Sequence, residues 1–143
     1  MPVFELPEDE IVFPKPELAE ANGLLAVGGD LSPLRLLTAY SLGIFPWFNE
    51  DNPILWWSLN PRLLCFPTEI KFSKSLLQRI KRNEFDVKID TDFRKVMEVC
   101  ASIPRNDQKG TWITPEIIDS YTRLHQMGYA HSFETYKENR LVG

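Results

Sequence analysis

The sequence predicts an α+β fold, on three observations. Segments with the apolar period of a helix and segments with the alternation of a strand occur in the same chain. Prolines and paired glycines cut it into short elements. A hydrophobic content of 43% over 143 residues is enough to bury a core. No apolar run reaches the roughly 18 residues of a membrane-crossing helix. The opening stretch MPVFELPEDE is acidic where a signal peptide would be basic, so no membrane association is expected and the chain reads as cytoplasmic.

The elements follow in order. The opening of the chain is broken by prolines and tightens at NGLLAVGGDLSP, where paired glycines supply turn geometry. Ser32 and Pro33 read as an N-cap followed by proline at the first helical position, which predicts a helix from Pro33 to about Leu42. Leu34, Leu37 and Tyr40 form its expected apolar stripe, and Gly43 sits where a left-handed cap is wanted. The tryptophan-rich stretch that follows is interrupted by Pro46, Pro53 and Pro61, so it reads as loop with a short strand over residues 54–58.

After Pro67 the pattern becomes helical. Leu76, Leu77 and Ile80 share one face, while Lys74, Gln78, Lys81 and Arg82 share another. Residues 85–90 alternate like a strand. Residues 91–102 are helical with Phe93, Val96, Met97 and Cys100 inward. Thr114, Pro115 and Glu116 open another helix that Gly128 closes. Residues 130–136, a polar turn at 137–140, and Leu141 with Val142 read as a β-hairpin. This β-α-α-β-β order needs further strands and a covering helix to close its core, which predicts the front part of a longer chain.

The net charge of −4 conceals an asymmetry. Residues 1–60 carry nine acids against Lys15 and Arg35, whereas residues 61–143 carry eleven acids and fourteen bases. Lys71, Lys74, Arg79, Lys81 and Arg82 fall together with no acid between them, a local field suited to a polyanion. With this change of pattern the chain is divided into residues 1–62 and residues 63–143. Cys65 and Cys100 lack metal or CxxC spacing and His125 and His131 have no second cluster beside them, so they read as structural thiols and ordinary histidines, and no metal is expected.

Three of the four tryptophans fall in GIFPWFNEDNPILWWSLNPR. Trp47, held in a proline-punctuated loop, suits either a stacking surface for a nucleobase or a plug over the core. Trp56 and Trp57 are adjacent in a strand, so they point to opposite faces and at least one belongs in the core. Trp112, just before a helix start, suits either a binding loop or a cap over that helix. A basic stripe beside exposed aromatics fits nucleic-acid binding, because phosphates supply affinity and π-faces grip unpaired bases. No Walker loop, GxSxG or HExxH is present.

The segments NGLLAVGGDLSPLRLLTAYSLGIFPWF, PILWWS, NPR, GTWIT and LHQMGYAHSFE together resemble the bacterial leucyl/phenylalanyl-tRNA–protein transferases across essentially the whole chain. The resemblance implies a small N-terminal α/β domain over residues 1–62, then the first part of an acetyltransferase-like domain over residues 63–143 that stops within its sheet. It implies transfer of leucine or phenylalanine from aminoacyl-tRNA to acceptor proteins with N-terminal Arg or Lys, marking them for degradation, with no cofactor and as a monomer. It carries the two tryptophans that sandwich the terminal adenosine onto Trp47 and Trp112, and the acceptor-stem surface onto Lys71, Lys74, Arg79, Lys81 and Arg82. The catalytic groups and the amino-acid pocket are expected beyond Gly143. Leu59 stands where the family has proline, and Gln78 where it often has a base. A non-catalytic RNA-binding module and a protein-interaction domain are the competing expectations.

Overall fold

The computed structural model describes residues 3–104 and 111–143. It has the mixed α and β content expected, arranged around two sheets. The first sheet holds β1 (Phe4–Leu6), β2 (Leu24–Gly28), β3 (Phe45–Pro46) and β4 (Leu55–Trp57) in the order β1-β2-β4-β3. Strand β1 runs parallel to β2, and β4 pairs antiparallel with both β2 and β3. The second sheet is antiparallel, with β5 (Asp86–Ile89), β6 (Phe133–Lys137) and β7 (Arg140–Leu141) in that order. Helix α1 (Pro33–Ser41) links β2 to β3, α2 (Lys74–Lys81) precedes β5, and α3 (Phe93–Ser102) and α4 (Pro115–Gln126) lie between β5 and β6.

Strand β2 is an apolar run whose Leu25 and Ala26 are fully buried, and Gly28 and Gly29 end it at φ +88° and +70°, a region that disfavours any residue with a Cβ. Asp30 then accepts the Ser32 N–H at 2.6 Å, and the Ser32 hydroxyl accepts the Arg35 N–H, which starts α1 at the expected residue. The buried face of α1 differs from the one expected. Leu34 and Tyr40 are exposed, and Arg35, Leu36 and Ala39 are buried instead. The reason is Arg35, whose guanidinium donates to the carbonyls of Pro7, Glu8 and Glu10 at 2.7, 3.3 and 3.1 Å and pairs with Asp30 at 3.4 Å. A charged residue that ties down the N-terminal segment thus occupies a core position, and the helix is rotated to suit it.

One hydrophobic cluster joins the first sheet to α1 and α4. It contains Leu25, Leu36, Ala39, Ile44 and Trp56 together with Ile113, Ile117, Ile118 and Leu124. Burying a side chain such as Leu36 or Ile117 contributes about 2 kcal/mol. Trp56 is the core member of the adjacent tryptophan pair, with its indole N–H donating to the Gly28 carbonyl at 2.9 Å and Phe13 edge-on to its ring. Leu59, in the turn after β4, lies against Gly23, where a Cβ would collide with its side chain.

The second sheet is bare on one face. Val87, Ile89 and Phe133 are exposed, as are Leu76, Leu77 and Ile80 on α2. Its other face holds Glu134, fully buried, whose carboxylate accepts the backbone N–H groups of Thr91 and Asp92 at 3.0 Å and the hydroxyls of Thr91 and Ser132. Glu134 therefore fastens β6 to the start of α3. Cys65 is exposed and Cys100 half-buried, both as free thiols. His125 and His131 converge on Asp90, at 3.8 and 2.7 Å, and the Asp90 carboxylate holds the His131 imidazole above its ordinary pKa.

The Thr91 hydroxyl and the surrounding donors hold the Glu134 carboxyl down, to about 2 from its ordinary 4.5. A depressed folded-state pKa contributes stability that is present above the unfolded value and lost as pH falls through the folded one. Urea denaturation across a pH series should therefore show stability falling as pH drops from 4.5 toward 2. Glu134→Gln should lower stability at neutral pH and flatten this acid limb. An unchanged limb in the variant would contradict the assignment.

Candidate functional site

A cavity of about 410 Å³ opens where α1 ends, lined by Tyr40, Gly43, Ile44, Phe45, Pro46, Trp47, Arg62 and Trp112. Its size falls within the range of sites for small organic ligands. The first wall is built by the end of α1. The Gly43 N–H donates to the Tyr40 carbonyl and the Ile44 N–H to the Ala39 carbonyl, with Gly43 at φ +73°. This turn buries Ile44 and sends the chain into β3.

Trp47 follows directly. Its N–H donates to the Leu55 carbonyl at 3.0 Å, and its own carbonyl accepts the Trp57 indole N–H at 2.7 Å. The backbone is thus held on both sides while the Trp47 side chain is 46% exposed, with its ring 6.3 Å from that of Trp57. The second tryptophan of the β4 pair is therefore a support for the loop and not a second ligand surface.

The opposite wall is the approach to α4. Thr111 accepts the Ile113 N–H at 3.1 Å, Ile113 is buried, and Thr114 caps α4 by accepting the Ile117 N–H. Trp112 is held between these anchors, half-buried against the core cluster and facing the cavity. Gly110 of the GTWIT motif lies outside the described residues. The hydroxyls of Tyr40 on α1 and Tyr121 on α4 are hydrogen-bonded, with their rings edge to face at 6.4 Å, so the two walls are bolted together. Desolvation of the two hydroxyls pushes both phenols above their ordinary pKa, although the rest of Tyr40 is exposed.

Arg62 completes the rim. Its Nη2 donates to the Gly43 carbonyl at 2.5 Å and its guanidinium lies 5.8 Å from the centre of the Phe45 ring. Among the residues that line the cavity it alone carries charge, and none is a carboxylate, an imidazole or a thiol. Such a site can grip a flat, anionic ligand. Among its described lining residues none could take a proton at neutral pH.

The structure therefore brings Trp47 and Trp112 to one cavity. It does not bring the five basic residues there. Lys71, Lys74, Arg79, Lys81 and Arg82 are exposed on α2 and the residues flanking it, and Arg82, the C-cap, lies 3.6 Å from Glu84. Sequence reasoning missed Tyr121 and Arg62 and read Tyr40 as part of an apolar stripe. Arg62 had a signal in NPR, but its carbonyl partner nineteen residues earlier had none. No described helix is long and apolar enough to cross a membrane.

The fold is α+β, with an aromatic cavity at one helix end whose lining has the chemistry to take a planar, negatively charged group. Comparison with known proteins makes this specific. Residues 29–60 match the family profile described as the leucyl/phenylalanyl-tRNA protein transferase N-terminal domain, and residues 64–143 match that described as leucyl/phenylalanyl-tRNA protein transferase. The chain belongs to this family. It is 54% identical over all 143 residues to a leucyl/phenylalanyl-tRNA–protein transferase of Anaeromyxobacter sp. (strain Fw109-5), covering 60% of that protein. It is 52% identical to one of Desulfatibacillum aliphaticivorans and 53% identical to one of Solidesulfovibrio magneticus, each over 143 residues, covering 61% and 58% of them. The chain thus spans about three fifths of the length of these relatives.

Proposed function

We propose that this chain belongs to an aminoacyltransferase that takes leucine or phenylalanine from charged tRNA and joins it to the N-terminal Arg or Lys of acceptor proteins, marking them for degradation. The observation that carries the reading is the meeting of Trp47 and Trp112, far apart in sequence, at one cavity. We assign that cavity to the terminal adenosine of the donor. Two indole faces can hold one base at about 1 to 3 kcal/mol per stack. Lys71, Lys74, Arg79, Lys81 and Arg82 are assigned to the acceptor-stem phosphates, outside the cavity, where exposed cations gain affinity by counterion release. Charged tRNA as donor places the reaction in the cytoplasm, and we take the enzyme to act as a monomer.

The aminoacyl ester is already activated, so the enzyme's task is to position it, to deprotonate the incoming amine and to stabilise the oxyanion. The cavity residues serve the first task only. We assign the proton-transfer groups to none of them, because no described lining residue is a carboxylate, an imidazole or a thiol. Residues from about 63 onward are proposed to begin an acetyltransferase-like domain after an N-terminal domain over residues 1–62. The separate family profiles over residues 29–60 and 64–143 support this division, although α4 packs back onto the core of the first part.

In the intact protein, Trp47→Ala and Trp112→Ala should each weaken donor binding by about 1 to 3 kcal/mol, with Phe at either position costing less. Apparent affinity for an Arg-initiated acceptor peptide should be unchanged. Steady-state kinetics on both substrates, with a thermal melt of each variant, reads both effects. Donor kinetics equal to wild type in the Ala variants would overturn the stacking role. Charge reversal at Lys81 and Arg82 should weaken tRNA binding and flatten its salt dependence while sparing a minimal aminoacyl-adenosine donor. Equal loss with both donors would contradict the assignment of the basic helix.

A further inference from the structure

We propose that Arg62 binds the phosphate on the 5′ side of the terminal adenosine, so that the cavity selects the end of a nucleotide chain over a free nucleoside. The proposal rests on the reading of the cavity as an adenosine site and adds a residue to it. Arg62 is exposed and yet lines the cavity, which puts it at the rim. A base held between two indoles leaves its sugar and phosphate toward the rim, and among the described lining residues the one charge is this guanidinium.

Two contacts hold the group. The Gly43 carbonyl takes one N–H, at 2.5 Å. The guanidinium carbon lies over the Phe45 ring, 5.8 Å from its centre. An arginine held this way has already lost most of its conformational freedom, so less is lost on binding. Among the described residues no carboxylate forms an ion pair with it, and the N–H groups at Nε and Nη1 have no described acceptor. A planar fork with free donors matches the tetrahedral oxygens of a phosphate.

The simpler role is capping. A cation at the C-terminal end of α1 interacts favourably with the helix dipole, and the bond to Gly43 satisfies a carbonyl just past the helix. Capping uses one N–H, however, and a lysine would serve it equally. It does not account for a guanidinium over a cavity aromatic whose remaining donors have no described acceptor. The two roles also differ in what they predict for ligands.

The test is titration of the intact protein with adenosine and with adenosine 5′-monophosphate at fixed ionic strength, followed by tryptophan fluorescence. The wild type should bind the monophosphate roughly tenfold more tightly, the worth of a charge-assisted hydrogen bond. In Arg62→Gln the ratio of monophosphate to adenosine affinity should fall to about one. In Arg62→Lys, which keeps the charge and the cap without the fork, the preference should fall severalfold. A preference that persists in both variants, or that is absent from the wild type, overturns the proposal while leaving the adenosine site standing. Failure of the wild type to bind adenosine or its monophosphate overturns both.

Discussion

The shared packing of α1 and α4 on one buried cluster is the constraint on which the site depends. Trp47 follows α1 and Trp112 precedes α4, so the two indoles can face one cavity only if the helix ends are held at a set separation. Ile117, Ile118 and Leu124 of α4 enter the same core as Leu36 and Ala39 of α1, and the Tyr40–Tyr121 hydroxyl pair ties the helices near the cavity itself. Packing supplies most of the energy here, and the hydroxyl bond supplies direction. Neither wall is a free loop. Each tryptophan is bracketed by backbone hydrogen bonds, which leaves its ring as the part with freedom to meet a ligand.

Charge is distributed so that different parts of a nucleic-acid donor would meet different surfaces. The cavity is lined by apolar and aromatic side chains, with the guanidinium of Arg62 at its rim. The exposed cations of α2 are not among the residues that line it. Stacking is sequence-tolerant and weakly dependent on salt, whereas phosphate contacts depend steeply on it. Separating the two lets one surface position the end of a long polyanion while another supplies affinity along its length.

Much of this was legible in the sequence, and the misses have physical causes. The start of α1 at Ser32 and Pro33, the closure of α4 near Gly128 and the division of labour between Trp56 and Trp57 follow from local rules of capping and strand alternation. Strands β1 and β2 gave no such signal. β1 is three residues long, and β2 is an unbroken apolar run without the alternation of a half-buried strand. The buried face of α1 was misread because Arg35 is charged, and its burial depends on carbonyls of Pro7, Glu8 and Glu10 that no local pattern announces. Tyr121 and Arg62 were missed for the same reason, since each acquires its role from a partner distant in the chain. Helix α2 shows the reverse case. Its amphipathic period was read correctly, yet Leu76, Leu77 and Ile80 are exposed, because periodicity reports that a face is apolar and not what covers it.

The central claim is that the cavity between Trp47 and Trp112 receives an adenine. A crystal structure of the intact protein with a non-hydrolysable leucyl-adenosine analogue tests it most directly. The account predicts the adenine ring between the two indoles, with its plane near parallel to at least one of them. An analogue bound elsewhere with this cavity unfilled, or a cavity closed by contact between the two tryptophans, would contradict it.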